Sequence, residues 1–314
     1  MSTCATASRD LDEPIAGTAA TARTWLLIEQ PGPWGAKALT SSHLDPAVGR
    51  ALESAAEGTG VRVALVRRPG RHADTHAPTR HQVYLAHTAP GNAWLRSGTV
   101  TSPEELRALD FAALGAGDHG GFGEPHGGAP LALVCTNGKR DRCCALLGRP
   151  LAAELDAAGE EGVWEVTHLG GHRFSPTLLV LPYGYAYGRV TPASVREILA
   201  AVRADRIVTE GCRGNSAWDR PGQAAELAVR RMLPESRAGA LDVFDSLAVD
   251  GDEPRFEVTV AHEDGRRWTV GVAQRASAPP RPESCGGALG SPARMDVVAV
   301  HEVAAPSAAL SPSR

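Results

Sequence analysis

The sequence predicts an α/β fold made of two tandem copies of one small domain, followed by a β-rich extension. Three observations predict it. The element order β-α-β-β-β-α reads twice along the chain, a glycine-rich stretch (GAGDHGGFGEPHGG, 115–128) lies between the two readings, and each reading closes on a helix opened by a hydroxyl residue and a proline.

The first reading follows a head, 1–22, expected to be disordered. TWLLIEQ (24–30) has the continuous apolar run of a buried strand, and Pro31-Gly32-Pro33 leads to a helix starting near Asp45-Pro46. Strands follow at VRVALVR (61–67), HQVYLAHT (81–88) and NAWLRSGTV (92–100). Ser102-Pro103-Glu104-Glu105 then caps the last helix, with proline at the first helical position, where its missing N–H costs nothing. After the glycine-rich joint the order begins again. APLALVC (129–135) is a strand, Leu151 to Ala158 a helix entered through Pro150, and VWEVTH (163–168) a strand. TLLVLPY (177–183) and AYGRV (186–190) read as a hairpin, and Thr191-Pro192 caps a helix through Val202. A β-α-β then β-β-α order is the thioredoxin-like sequence of elements, a central sheet with helices on its faces.

Beyond Arg206 the signals change. RGNSAWDRPGQAAELAVRRML holds a helix near 220–233, and FEVTVAH and RRWTVGVAQ flank Asp264-Gly265, the strongest short turn signal in the chain. SAPPRPESCGG (277–287) is a Pro-rich loop, ARMDVVAVHEV a last strand, and the end a frayed tail. The expected organisation is therefore a head (1–22), a degenerate thioredoxin-like domain (23–114), a linker (115–128), a thioredoxin-like domain carrying the candidate site (129–235), a β-rich extension (236–303) and a tail (304–314).

Composition narrows the function. At 314 residues with 43% hydrophobic content, the chain has enough apolar side chains for cores of two ordinary domains. A net charge of −4 supplies no electrostatic attraction for nucleic acid or an anionic membrane. No window reaches eighteen uninterrupted apolar residues, and the start has acids and no apolar core of a secretory signal. Six cysteines, two of them adjacent, do not form the framework of a small secreted domain, so a reducing cytoplasm is the expected compartment.

The chemistry concentrates in four residues. Cys135 and Cys144 are separated by eight residues, and His168 and His172 stand in THLGGHRF. Two thiols and two imidazoles at those positions look like the ligands of a metal centre. A zinc finger closes each half of its site with two to four residues between cysteines, whereas CTNGKRDRCC is a long loop with a turn pair, Asn137-Gly138. A long loop suits something bulkier than one ion. Gly170 and Gly171, between the histidines, allow a tight turn and close approach of the backbone. Lys139, Arg140, Arg142 and Arg173 flank the set, as a rim for an acidic partner or as a solvated loop face.

CTNGKRDRCCALLGRPLAAEL, WEVTHLGGHRFSPTLLVLPYGYAYGRV and RGNSAWDRPGQAAE together resemble the sucrase/ferredoxin-like family, relatives of the thioredoxin-like [2Fe-2S] ferredoxins. The resemblance covers roughly residues 20–235. It implies a [2Fe-2S] cluster held by Cys135, Cys144, His168 and His172, as in the bis-histidyl members. Those members commonly carry an arginine where this chain has Cys143, which leaves Cys143 as an alternate ligand beside Cys144. The resemblance further implies one-electron transfer, coupled to protons through the imidazoles, with a redox partner such as a flavoprotein reductase or an oxidoreductase. Histidine ligation of this kind raises the potential, to roughly −150 to +300 mV against about −400 mV for plant-type ferredoxins.

Three rivals use the same letters. A structural zinc ion accepts two Cys and two His. Thiol redox chemistry would use Cys143 and Cys144, although the chain lacks the C-x-x-C pattern normal for it. Sucrase activity needs paired carboxylates across a cleft, and no such motif stands out. Arg213-Gly214 reads as a turn before a helix cap at Asp219. Cys4, Cys212 and Cys285 have no partner at ligand spacing, and His43, His72, His76, His81 and His87 are expected on the surface.

Overall fold

Most runs read as strands are buried along their length, the behaviour of strands covered on both faces. The computed structural model describes residues 3–70, 80–251 and 253–303. A helix, α1 (Cys4–Asp10), comes first, then β1 (Thr24–Glu29), α2 (Pro46–Ala56), β2 (Val61–Arg67), β3 (His81–His87) and β4 (Trp94–Val100). A 3-10 segment (Pro103–Ala108) leads to α3 (Phe111–Ala116) and the short β5 (Glu124–Pro125). The second half runs β6 (Leu131–Cys135), α4 (Arg149–Ala157), β7 (Val163–Val166), β8 (Thr177–Leu181), β9 (Tyr185–Gly188), α5 (Pro192–Arg203), β10 (Cys212–Asn215) and α6 (Arg220–Met232). The remainder is β11 (Leu241–Val249), β12 (Arg255–His262), β13 (Arg267–Ala276), β14 (Arg281–Pro282), β15 (Leu289–Gly290) and β16 (Ala293–Val303).

These elements make a large mixed sheet, ordered β10-β9-β8-β6-β7-β2-β1-β3-β4-β5, and a separate four-stranded antiparallel sheet, β11-β12-β13-β16. Within the large sheet β1 and β2 are parallel, as are β6 and β7, while β3 and β8 lie antiparallel to β1 and β6. The first half is thus ordered β2-β1-β3-β4 and the second β7-β6-β8-β9. They meet edge to edge where β2 pairs antiparallel with β7, Val66 opposite Val166 and Arg67 opposite Glu165. Arg67 Nη2 lies 2.7 Å from Glu165 Oε2 with both side chains buried, and Thr136 Oγ1 donates to the same oxygen at 2.8 Å. The seam therefore lies one strand away from the end of β6, where Cys135 pairs with Val166.

The caps follow the sequence. Asp45 accepts from Ala47 N at the start of α2, Thr191 from Ser194 N at α5, and Asp219 from Gly222 N at α6. Ser102 forms the expected capping box with Glu105, but the segment it opens is a 3-10 turn, and Asp110 caps α3 separately. Helix α6 is buried on several sides. Ala224, Ala225 and Val229 pack against Val258, Val260, Trp268 and Val270 of the four-stranded sheet, while Leu227 joins the core beneath β8 and β9.

Three stretches depart from the sequence reading. The head contains α1, whose cap Thr3 accepts from Thr6 N and whose Cys4 and Ala5 are buried against Cys143. CRGN, expected as a turn, forms β10 on β9. LDVFDSLAV forms β11, the edge of what was expected to be a hairpin with one further strand. In each case backbone pairing or a distant side-chain contact supplies the order, and neither leaves a local apolar period. The tail from 304 and the segment 71–79, with His72 and His76, lie outside the described residues.

Candidate metal centre

Cys135 ends β6, and the loop after it is folded by its own side chains. Asn137 Oδ1 accepts from Lys139 N at 3.1 Å and from Arg140 N at 3.3 Å, the turn expected of Asn-Gly, while Asn137 Nδ2 donates to Gly35 O at 3.0 Å. The chain then enters a turn of π-helix, Cys144–Gly148, leading into α4. Gly148 lies so close to the end of β6 that a Cβ there would fall 2.2 Å from Cys135 O. That approach returns Cys144 to Cys135. Opposite them, β7 ends at Val166, and Gly170 and Gly171 adopt φ of +75° and +69° before a 3-10 turn, His172–Phe174.

The four expected ligands lie in one neighbourhood, and Asp141, which the sequence did not single out, stands with Cys144 and His172. Cys144 Sγ lies 3.2 Å from His172 Nδ1, and the rings of His168 and His172 stack with centroids 4.8 Å apart. Both sulfurs are buried and both imidazoles half-buried. The Cys144 thiol donates toward Cys135 and His168 stands beside it, so Cys135 is held well below the usual thiol range despite its burial. Cys144 is pushed up correspondingly, by Cys135 first and then by burial. Burial lowers the pKa of His172, with His168 adding to it, so the ring stays neutral. His168 Nδ1 is buried and has no hydrogen-bond partner. An orphaned imidazole nitrogen beside two soft thiols is a donor set that fits a thiophilic metal or an iron–sulfur group.

Arg213 supports this loop, a role its sequence context did not disclose. Its buried guanidinium donates to Gly170 O at 3.1 Å, to Thr18 Oγ1 at 3.1 Å and to Thr18 O. A Cβ on Gly171 would sit 2.2 Å from Arg213 Nη2, so glycine is required there by contact as well as by φ. Burial lowers the pKa of Arg213 to about 10, with Arg173 adding to it, while the sulfur of Cys135 opposes the shift. Arg62 Nη2 donates to His168 O at 3.1 Å on the other side.

The flanking cations divide. Lys139, Arg140 and Arg142 are exposed, whereas Arg173 is buried and spent internally, its Nε 2.8 Å from Glu13 Oε1 and its Nη1 3.0 Å from Glu283 Oε2. Arg173 is therefore not part of a docking rim. A cleft of about 820 Å³ opens beside His168, lined by Lys37, Arg50, Arg62 and Arg140 together with Glu53 and Glu57.

Cys143 does not point at the four residues. Its sulfur lies 3.4 Å from Cys4 Sγ and 3.1 Å from Cys285 Sγ, so two of the three cysteines that lacked partners at ligand spacing have one in space. Cys212 is enclosed in the core of the second half, its pKa raised to about 12 by burial. Two histidines expected on the surface are buried and engaged, His81 with Glu29 O and His87 with Thr24 Oγ1.

A family model described as sucrase/ferredoxin-like matches residues 15–214, nearly two thirds of the chain. No curated protein and no solved structure matches.

Proposed function

The chain belongs to the sucrase/ferredoxin-like family, and on that footing we propose that it is an electron-transfer protein of the thioredoxin-like ferredoxin type, holding a [2Fe-2S] cluster through Cys135, Cys144, His168 and His172. The observation that carries this reading is the contact of Cys144 Sγ with His172 Nδ1 and the stacking of His172 on His168, whose Nδ1 is buried and unpartnered. The shared strand order of the two halves supports two tandem thioredoxin-like units, the second with the ligands and the first without them. When bound, the cluster supplies one-electron chemistry, at a potential raised by having two neutral imidazoles in place of two thiolates.

The chain's own residues account for the rest. Cys135 gives up its proton first, and Arg213 offsets the resulting negative charge while fixing the turn that presents the histidines. Because Nδ1 of both rings is turned inward, Nε2 is the atom left to hold or release a proton, and that is the basis for proton coupling. The cleft with Lys37, Arg50, Arg62 and Arg140 offers a dock for an acidic face of a flavoprotein reductase or oxidoreductase. A soluble carrier in a reducing cytoplasm suits these thiols, and no helix among the described residues is long and apolar enough to cross a membrane.

Iron, sulfide and zinc analysis of protein from iron-replete cells tests the reading, with an EPR spectrum after reduction. The expected preparation is red-brown, carries two irons and two sulfides per chain, and bleaches under dithionite. A colourless protein with a single zinc at the Cys135 set and no iron overturns it in favour of a structural zinc site.

A further inference from the structure

Three cysteines and one aspartate outside the proposed ligand set meet at a second point. Cys4 comes from α1, Asp141 and Cys143 from the loop between Cys135 and Cys144, and Cys285 from the loop after β14. Their sulfurs lie 3.4 Å (Cys4–Cys143), 3.6 Å (Cys4–Cys285) and 3.1 Å (Cys143–Cys285) apart, and all three thiols are free. Both carboxylate oxygens of Asp141 stand 3.9 Å from Cys4 Sγ. From these contacts we infer that Cys4, Cys143, Cys285 and Asp141 form a second metal site that takes a divalent ion of the zinc class.

The donors are the ones such an ion takes, three thiolate sulfurs and a carboxylate oxygen, and there are four of them. Tetrahedral ligation with Zn–S of about 2.3 Å places ligand atoms roughly 3.8 Å apart. The observed separations of 3.1–3.6 Å need adjustments of about 0.2 to 0.7 Å to reach that figure. Asp141 is pre-set for the role. Its Oδ1 accepts from Cys143 N and its Oδ2 from Cys285 N, each at 2.8 Å, so the carboxylate is locked to the two segments that bring the sulfurs.

Charge gives a second, independent reason. Asp141 is buried, and among the described residues no Lys or Arg forms an ion pair with it. A buried carboxylate beside three thiols lacks the counter-charge that normally compensates burial, and a divalent cation supplies it. Asp141 also stands beside Cys144 and His172, so the two sets are neighbours, but their sulfurs divide. Cys4 and Cys285 lie outside residues 15–214, and Cys143 packs with Cys4 and Ala5 whereas Cys144 packs with Cys135. The inference does not depend on what the Cys135 set holds.

Elemental analysis and native mass spectrometry of the full chain, purified under reducing conditions from medium with iron and zinc, test it. One zinc per chain is expected beyond whatever the Cys135 set binds. Cys4→Ala and Cys285→Ser should each lower that zinc at least tenfold and leave the iron and the visible spectrum unchanged. In the wild type, Cys4, Cys143 and Cys285 should resist alkylation until a chelator is added, a readout that stands even if a variant fails to fold. Four results overturn the inference. They are wild-type protein lacking this zinc, zinc unchanged in both variants, zinc lost with Cys135→Ser alone, and a Cys143–Cys285 disulfide without metal in freshly isolated protein. If the Cys135 set held zinc instead of iron, two zincs per chain would be found and Cys285→Ser would remove one, which separates failure of the cluster reading from failure of this one.

Discussion

Cys143 and Cys144 are adjacent, yet their sulfurs face different partners: Cys144 Sγ lies 3.2 Å from His172 Nδ1 and Cys143 Sγ 3.1 Å from Cys285 Sγ. The cause is local geometry. Cys143 has helical φ and ψ, −60° and −38°, and successive side chains on a helical turn diverge by about 100°. A vicinal pair in that conformation is shared between two environments and is poorly placed for chemistry between its own two thiols.

The pair should therefore separate by mutation. Cys144→Ser is expected to lower iron content about tenfold or more, and Cys143→Ser to leave it near the wild-type value. Iron and sulfide analysis of both proteins checks this, and the opposite order would make Cys143 the ligand.

On the proposed [2Fe-2S] assignment, replacing either imidazole by a thiolate should retain the cluster and lower its potential. For His168→Cys and His172→Cys, redox titration is expected to show a midpoint lower by roughly 100 mV or more and a weaker pH dependence. The wild-type potential should fall as pH rises, since reduction favours protonation of the ring. A pH-independent wild-type potential would remove the histidines from the ligand set.

Arg213 and Gly171 hold the histidine turn together and can be tested apart from any metal. Arg213→Met leaves Gly170 O and Thr18 O without their donor, and a loss of about 2–3 kcal/mol is expected in urea unfolding of the metal-free protein. Gly171→Ala places a methyl against the guanidinium at a left-handed φ, with a loss of about 2 kcal/mol expected. Unchanged midpoints in both would mean that the turn is held by something else.

Far from the site, Glu235 predicts an acid limb of stability. Hydrogen bonds from Arg237 and His262 lower its pKa from its ordinary 4.5 to about 2. A depressed carboxylate contributes stability that is fully present above its unfolded value and is lost as pH falls through its folded value. Between about pH 4.5 and 2 the urea midpoint should fall more steeply for the wild type than for Glu235→Gln. Parallel curves would show that the carboxylate is no better held in the folded chain than in the unfolded one.

Much of the large sheet was legible because its strands are continuous apolar runs between proline and glycine signals, and the helices because their caps are local. The Cys135–His172 set was legible for a similar reason, since its residues stand in two short, letter-rich stretches. What escaped was tertiary in origin. Helix α1 (CATASRD) has no apolar period and is ordered by contacts with Cys143 and Cys285. Arg213 reads as a turn residue because its partners, Thr18 and Gly170, are far away in sequence. Cys4 and Cys285 are separated by 281 positions, and no spacing rule joins them.

The ion pairs around Arg173 also set an order of events during synthesis. Arg173 is held by Glu13 from the beginning of the chain and by Glu283 from near its end, and Arg281 closes on Glu13 from the same late segment. A nascent chain that has only just delivered His172 still lacks Arg281, Glu283 and Cys285. The pairs that Glu13 and Arg173 make with Arg281 and Glu283 can therefore form only once that later segment has been made, after both histidines are already in place.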